Sequence, residues 1–227
     1  MKTKVFISIM TVPGLVVLLF LILFNSQEKR DILLRGRAYA TSGMGFSNSK
    51  EDELSGVLKD AFNKIKAMKL TNNPEVDYSS LMASFLQAAV SLSAKEIARG
   101  GDNTMKDLAK RTDKRIRSKI NDFKRAKEKQ ASKTEKERGS GVTTSTFFTS
   151  LDLMHERLKS YSPAGSFDYD FASVLTIFHQ TVNDLSQVFL ENSIDSDLTK
   201  SAKKIIYENE QDIEQMLEWK AKRKFSE

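Results

Sequence analysis

Cysteine is absent from the 227 residues. Disulfides, thiolate metal sites, cysteine nucleophiles and a lipid-modified N-terminal cysteine are therefore excluded. Histidine occurs only at His155 and His179, so copper or zinc would have to be held by His, Met or carboxylate. With 3 prolines, 10 glycines and 9% aromatics, the chain lacks the turn residues of an all-β fold, and no strand pattern of any length is present. Also missing are a Gly-rich phosphate loop, a His-x-x-x-His pair and the Glu-x-x-His of di-iron bundles. No nucleophile–base pair is apparent, so the expectation is a non-enzymatic protein. The excess of positive charge is only +6, ordinary for a solvated surface.

Long apolar runs are missing as well, with one exception. Val5 to Phe24 read VFISIMTVPGLVVLLFLILF without a charge, and about twenty residues at helical rise span a bilayer core. The segment 1–24 is expected to be a signal anchor or signal peptide, placing the protein on a membrane through residues 5–24. The only Ala-x-Ala, Ala38-Tyr39-Ala40, lies far downstream of the run, which favours an uncleaved anchor. Lys2 and Lys4 stand on one side, and Lys29, Arg30, Arg35 and Arg37 on the other, so charge leaves the orientation open. Residues 25–50 read as a polar tether ending in Gly, Ser and Asn.

The remainder repeats itself. Shifted by 93 positions, Glu53–Glu128 aligns without a gap on Thr146–Ala221: Asp77 meets Asp170, Phe85 meets Phe178, Asp102 meets Asp195 and Ile120 meets Ile213. Apolar residues keep phase over three helices per copy. The first carries Leu54, Val57, Leu58, Ala61, Ile65 and Met68, answered by Phe147, Leu151, Met154, Leu158 and Tyr161. The second carries Leu81, Phe85, Ala89 and Leu92, answered by Val174, Phe178, Val182 and Leu185. The third carries Met105, Leu108, Ala109, Ile116, Ile120 and Phe123, answered by Leu198, Ala202, Ile205, Ile206, Ile213, Met216 and Leu217. Pro74 and Pro163 are expected in the connections after the first helices. Asp77 and Asp168 are expected to serve the starts of the second helices, and Asp102 and Asp195 those of the third. The expected organisation is repeat 1 at 51–130, a charged linker at 131–143 and repeat 2 at 144–227. Arg115, Arg117 and Lys119 stand where the second copy has Glu208, Glu210 and Asp212. The third helices are therefore expected to lie together, with these charges choosing partner and register.

The second copy, from Phe167 to Lys222, resembles the DUF305 family. Asp168 and Phe171 match the opening of its central helix, His179-Gln180 the end of its His-His-Gln run, and Asp195, Ala202, Glu210-Gln211, Ile213, Met216 and Trp219 its tail. The first copy matches through Asp77, Met82, Gln87, Asp102, Leu108-Ala109 and Ile120. The resemblance implies an all-α chain: an N-terminal transmembrane or signal helix followed by two tandem, degenerate, ferritin-like helical-bundle repeats. It also implies export, and hence a place at the cell envelope, as a single-pass inner-membrane protein with extracytoplasmic domains or, if cleaved, a periplasmic or secreted one. Copper binding in the family implies a metal site, but most of its ligand positions are hydrocarbon here. The first His is Phe178 and Phe85, and the second is kept as His179 but is Leu86 in copy one. The Met before them is Leu175 or Met82, and the Met after them Leu185 or Leu92.

Four residues remain as candidate metal ligands: His179, with Met154, Met216 or Met82. Imidazole and thioether suit copper(I), but a lone histidine seldom makes a tight site. One turn away on its helix only Asn183 could assist a metal; the competing expectation is a partly buried His179 satisfied by a neighbouring polar group, with the methionines filling core and His155 on the surface. From Lys106 to Arg138 the chain holds fourteen Lys or Arg against six Asp or Glu. This basic helix, 106–138, is a solvated face or a surface for anionic lipid or a protein partner. Its one aromatic, Phe123, belongs to the apolar stripe and leaves no platform for base stacking, so nucleic acid is not expected. The leading expectation is a non-enzymatic binding or scaffolding module without a cofactor. The alternative is copper or other transition-metal sequestration.

Overall fold

A computed structural model describes residues 53–132, 144–193 and 195–224, all within a compact unit, Ser47–Glu227. The expected anchor (1–24), tether (25–50) and most of the linker (131–143) lie outside the described residues. Six helices and no strand are found among those described: α1 (Glu53–Lys66), α2 (Pro74–Arg99), α3 (Asn103–Ala131), α4 (Thr144–Lys159), α5 (Phe167–Leu190) and α6 (Ser196–Lys224). Within them, no helix is long and apolar enough to cross a membrane.

The helices form where the apolar stripes predict. Leu54, Leu58 and Ile65 of α1, Phe147, Leu151, Met154 and Leu158 of α4, and all six stripe residues of α3 are buried. On α6, Leu198, Ala202, Ile205 and Met216 are buried but Leu217 is 40% exposed. Leu217 directly follows Met216, and a helix turns about 100° per residue, so the two cannot share one face.

Local chemistry corrects two expectations about helix starts. Pro74 does not lie in a connection: it opens α2. The first turn has no carbonyl for its N–H to bond, so a proline costs nothing there. The cap is Asn73, whose side-chain oxygen accepts from Glu75 N and Val76 N at 3.1 Å. Asn72 just before it adopts φ +61°, a left-handed conformation that Asn tolerates. Asp77 caps nothing on its own helix; it reaches back to Thr71 N at 2.7 Å and Thr71 Oγ1 at 2.8 Å. Asp168 accepts from Gly101 N and Asp102 N, at the start of α3. Asp102 and Asp195 do cap α3 and α6, through Met105 N at 3.1 Å and Leu198 N at 2.9 Å.

Helices α2 and α5 form the centre, with α1 and α4 packed on them and α3 and α6 joined to them and to each other. Buried residues recur around most of the circumference of α2, as a central helix requires. At the crossing Phe85 stacks on Phe178 with centroids 4.9 Å apart. Toward one end Tyr78 stacks on Phe189 at 4.1 Å and meets Ser186 Oγ at 2.8 Å. Contributions from all six helices merge into one hydrophobic cluster.

Because the core is continuous, Phe178→Asp is expected to unfold the whole unit rather than one half. A carboxylate placed against Phe85 costs several kcal/mol, comparable with the entire stability of a domain. Circular dichroism should show near-complete loss of helix; retention of about half the signal would mean that the halves fold separately.

Candidate functional site

A cluster of charged and polar groups lies between α3, α5 and α6. His179 is fully buried on α5, and its Nε2 is 3.3 Å from Asp212 Oδ2, without the alignment of a hydrogen bond. Arg115 of α3 pairs with the same carboxylate, and its Nε lies 3.9 Å from Glu208. Lys119 reaches Glu208 at 2.8 Å, and Arg111 donates to Gln215 at 2.7 Å. The side chain of Asn183, one turn beyond His179, is instead engaged by Asn209 Nδ2 at 2.9 Å.

Electrostatics orders this cluster. Burial pushes the imidazole of His179 below its usual pKa; Asp212 opposes that shift and Arg115 reinforces it. Burial works against the charge of Asp212 too, but the carboxyl stays below the usual range, with the Arg115 guanidinium paired to it. A neutral imidazole cannot supply a counter-charge, so Arg115 is the group that balances Asp212. The expectation that the third helices lie together is met by Arg115, Lys119, Glu208 and Asp212. Arg117 differs: it pairs with Asp113 on its own helix at 2.9 Å.

The candidate ligands are spread over four helices. Met82 lies on α2, Met154 on α4, His179 on α5 and Met216 on α6, and all four are fully buried. Met216 Sδ sits 3.9 Å from Thr176 Oγ1, one turn before His179. Among the described residues no group of three or more His, Asp or Glu side chains is disposed to hold a metal ion. His155 is half-buried rather than on the surface, because its ring stacks on Phe62 at 5.1 Å.

Two further clusters escaped the sequence reading because their members are far apart in the chain. At the α2–α3 elbow Asp102 accepts from Trp219 Nε1 at 2.9 Å and pairs with Arg223, whose guanidinium lies 3.9 Å from the centre of the Trp219 ring. Beneath that elbow Glu96 is fully buried, with no aligned hydrogen-bond partner on either oxygen. A Cβ on Gly100 would meet Glu96 Oε1 at 2.2 Å, so only glycine fits over the carboxyl. Burial, then the neighbouring Asp168, pushes Glu96 up to about 8; Lys106 pulls the other way and Asp102 adds to the rise.

The second cluster joins α5 to α6. Lys220 Nζ donates to Ser173 Oγ at 2.7 Å and lies 4.9 Å from the centre of the Tyr169 ring. Burial lowers this lysine to about 8, against the pull of Asp170. A hydroxyl beside such an amine is the pair that nucleophilic catalysis uses. Here the hydroxyl gives its proton to Tyr169 O at 2.8 Å, so the geometry is that of a stitch between helices.

Two outcomes follow. The folded state keeps the Glu96 proton up to about pH 8, whereas the unfolded chain releases it near the ordinary value of 4.5. Stability contributed below pH 4.5 is thus lost as pH rises to 8. Glu96→Gln should match the wild type at about pH 4 and exceed it by on the order of 3 kcal/mol at about pH 8 in chemical denaturation. A difference independent of pH would contradict the buried, protonated carboxyl. Separately, Arg115→Met should cost about 3 kcal/mol by stranding Asp212. Adding Asp212→Asn should recover more than about 1 kcal/mol of this; strict additivity would show that the pair is not coupled.

Comparison with known proteins gives the family. Residues 75–220, from α2 into α6, match the family described as "Domain of unknown function (DUF305)" as one continuous region. No curated protein matches the chain. A solved structure, a DUF305 fragment from Deinococcus radiodurans, is similar at 15% identity over 63% of this chain and 92% of its own, with a TM-score of 0.46. With the family match covering well over half of its length, this chain belongs to the DUF305 family.

Proposed function

We propose that this protein is a non-enzymatic helical module, tethered by residues 5–24 to a membrane at the cell envelope with its helices outside the cytoplasm, which binds or scaffolds a partner. The observation that carries this reading is the state of the interior. His179 faces Asp212, which Arg115 neutralises, and Asn183 holds Asn209. Asp212 and Asn183, which would otherwise serve a ligand, are taken up by Arg115 and Asn209. The charge-free run Val5–Phe24 supports the tether.

The same reading derives the six helices from two fused copies of a three-helix unit. Starts of α2 and α5, and of α3 and α6, are each 93 residues apart. Contacts are reciprocal under that shift. Phe62 meets His155 and Phe85 meets Phe178, each pair being mutual equivalents. The contact of Arg223 with Asp102 has its counterpart in Gln130 Nε2 donating to Asp195 at 2.6 Å. Such reciprocity is the mark of a two-fold arrangement.

Copper(I) sequestration is the competing reading, favoured by Met216 Sδ lying 3.9 Å from Thr176 Oγ1, a residue one turn before His179 on α5. The full chain in detergent, titrated with copper(I) against a competing chelator beside His179→Ala, separates the two. The proposal expects no binding that depends on His179. Tight binding abolished by the substitution would make metal handling the function.

A further inference from the structure

The outward face of α3 carries charge that the fold does not use. Its inward positions, Met105, Leu108, Ala109, Thr112, Ile116, Ile120 and Phe123, are buried. On the other side Lys110, Lys114, Arg117, Asn121, Lys124 and Lys127 follow at three-and-four spacing, and all are exposed. Lys110 and Arg117 are partly balanced by Asp107 and Asp113. Lys114, Lys124 and Lys127 have no acidic partner among the described residues. The cations that join α3 to α6, Arg115 and Lys119, are a separate set.

Helix α6 is an internal control. It occupies the corresponding place, and its residues 93 positions on from the six of the stripe are Lys203, Tyr207, Glu210, Glu214, Leu217 and Lys220, all exposed but the last. One helix meets the packing requirement with a basic outer stripe and the other with a mixed one, acidic and apolar from Tyr207 to Leu217 between two lysines. The stripe on α3 is therefore not needed for folding.

We propose that the basic stripe of α3 docks the helical unit onto the anionic lipid headgroups of the membrane that holds the chain, an inference that rests on the tether proposed above. The geometry suits a plane of phosphates. From Lys110 to Lys124 the stripe stays within about 80° of the helix circumference and is about 21 Å long. Most of its cations are lysines, mobile point charges that need no fixed fork geometry. No aromatic stands within it, as base stacking would require. The basic residues after the apolar run, Lys29, Arg30, Arg35 and Arg37, have the same sign, so they do not compete for the stripe. Tethering also raises the local concentration of surface to a level at which an individually weak contact is populated.

The absence of cysteine makes the test direct. Asn121→Cys introduces a lone thiol within the stripe, and Glu214→Cys one at the corresponding place on α6. Each full-length variant is labelled with a fluorophore and reconstituted in phosphatidylcholine vesicles with or without about 30% phosphatidylglycerol, plus a nitroxide-headgroup quencher lipid. In anionic vesicles quenching at position 121 is expected to exceed that at 214 about threefold and to fall to parity in about 0.5 M salt. Parity is also expected in neutral vesicles and for Lys114→Gln/Lys124→Gln, whose helix content is checked by circular dichroism. Equal quenching at both positions in anionic vesicles, or an excess at 121 insensitive to lipid charge, overturns the docking. So does an excess at 121 that appears only when an acidic protein is added. If the chain is washed off the vesicles by alkali the tether itself fails, and the docking with it. A chain that stays inserted but shows no charge-dependent quenching defeats the docking alone.

Discussion

Where α2 crosses α5, Phe85 lies on Phe178 with ring centroids 4.9 Å apart and no solvent exposure on either ring. The other pairings are arranged around that crossing. Tyr78 and Phe189 stack toward one end of it, His155 and Phe62 meet where α4 passes α1, and α3 and α6 meet through Arg115, Lys119, Glu208 and Asp212. Each half supplies one central helix and neither can cover its own. Aromatic rings bury large areas, so losing the crossing would expose the inner faces of all three helix pairs at once.

Charge then decides which helices may come together. Arg115 and Lys119 of α3 face Glu208 and Asp212 of α6. Two copies of the first half paired in the same way would set Arg115 against Lys119, and two copies of the second would set Glu208 against Asp212. Both would bring like charges together in a partly buried place, whereas the observed pairing neutralises them. Such arrangements add specificity more than stability. His179 fits this account as a neutral ring packed beside the pair, at a position where the first half has Leu86.

The helical stripes were legible in sequence because three-and-four spacing reports burial directly. Met105, Leu108, Ile116 and Phe123 all proved buried. What pairs the helices was legible only in sign: the exchange of Arg115 for Glu208 announced complementarity, but not that Arg117 would stay on its own helix with Asp113. Misjudged residues were those whose partners are remote. Asp168 looked like a cap for α5 and caps the elbow before α3 instead; Lys220 and Ser173, or Trp219 and Asp102, meet only once α6 folds back. Glu96 gave no signal at all, since a glutamate near a helix end ordinarily faces water. Only the paired glycines that follow it, Gly100 and Gly101, hint that something large sits beneath.

Central to this account is that residues 51–132 and 144–227 form one folding unit, not two domains joined by a linker. The most direct test is to make the two segments separately and mix them. Trp219 is the lone tryptophan, and its indole N–H reaches Asp102 in the other segment, so its fluorescence reports their union. The account predicts that each segment alone is poorly structured, and that equimolar mixing restores helix and shifts the Trp219 emission. Two segments that each fold cooperatively, with no change on mixing, would contradict it.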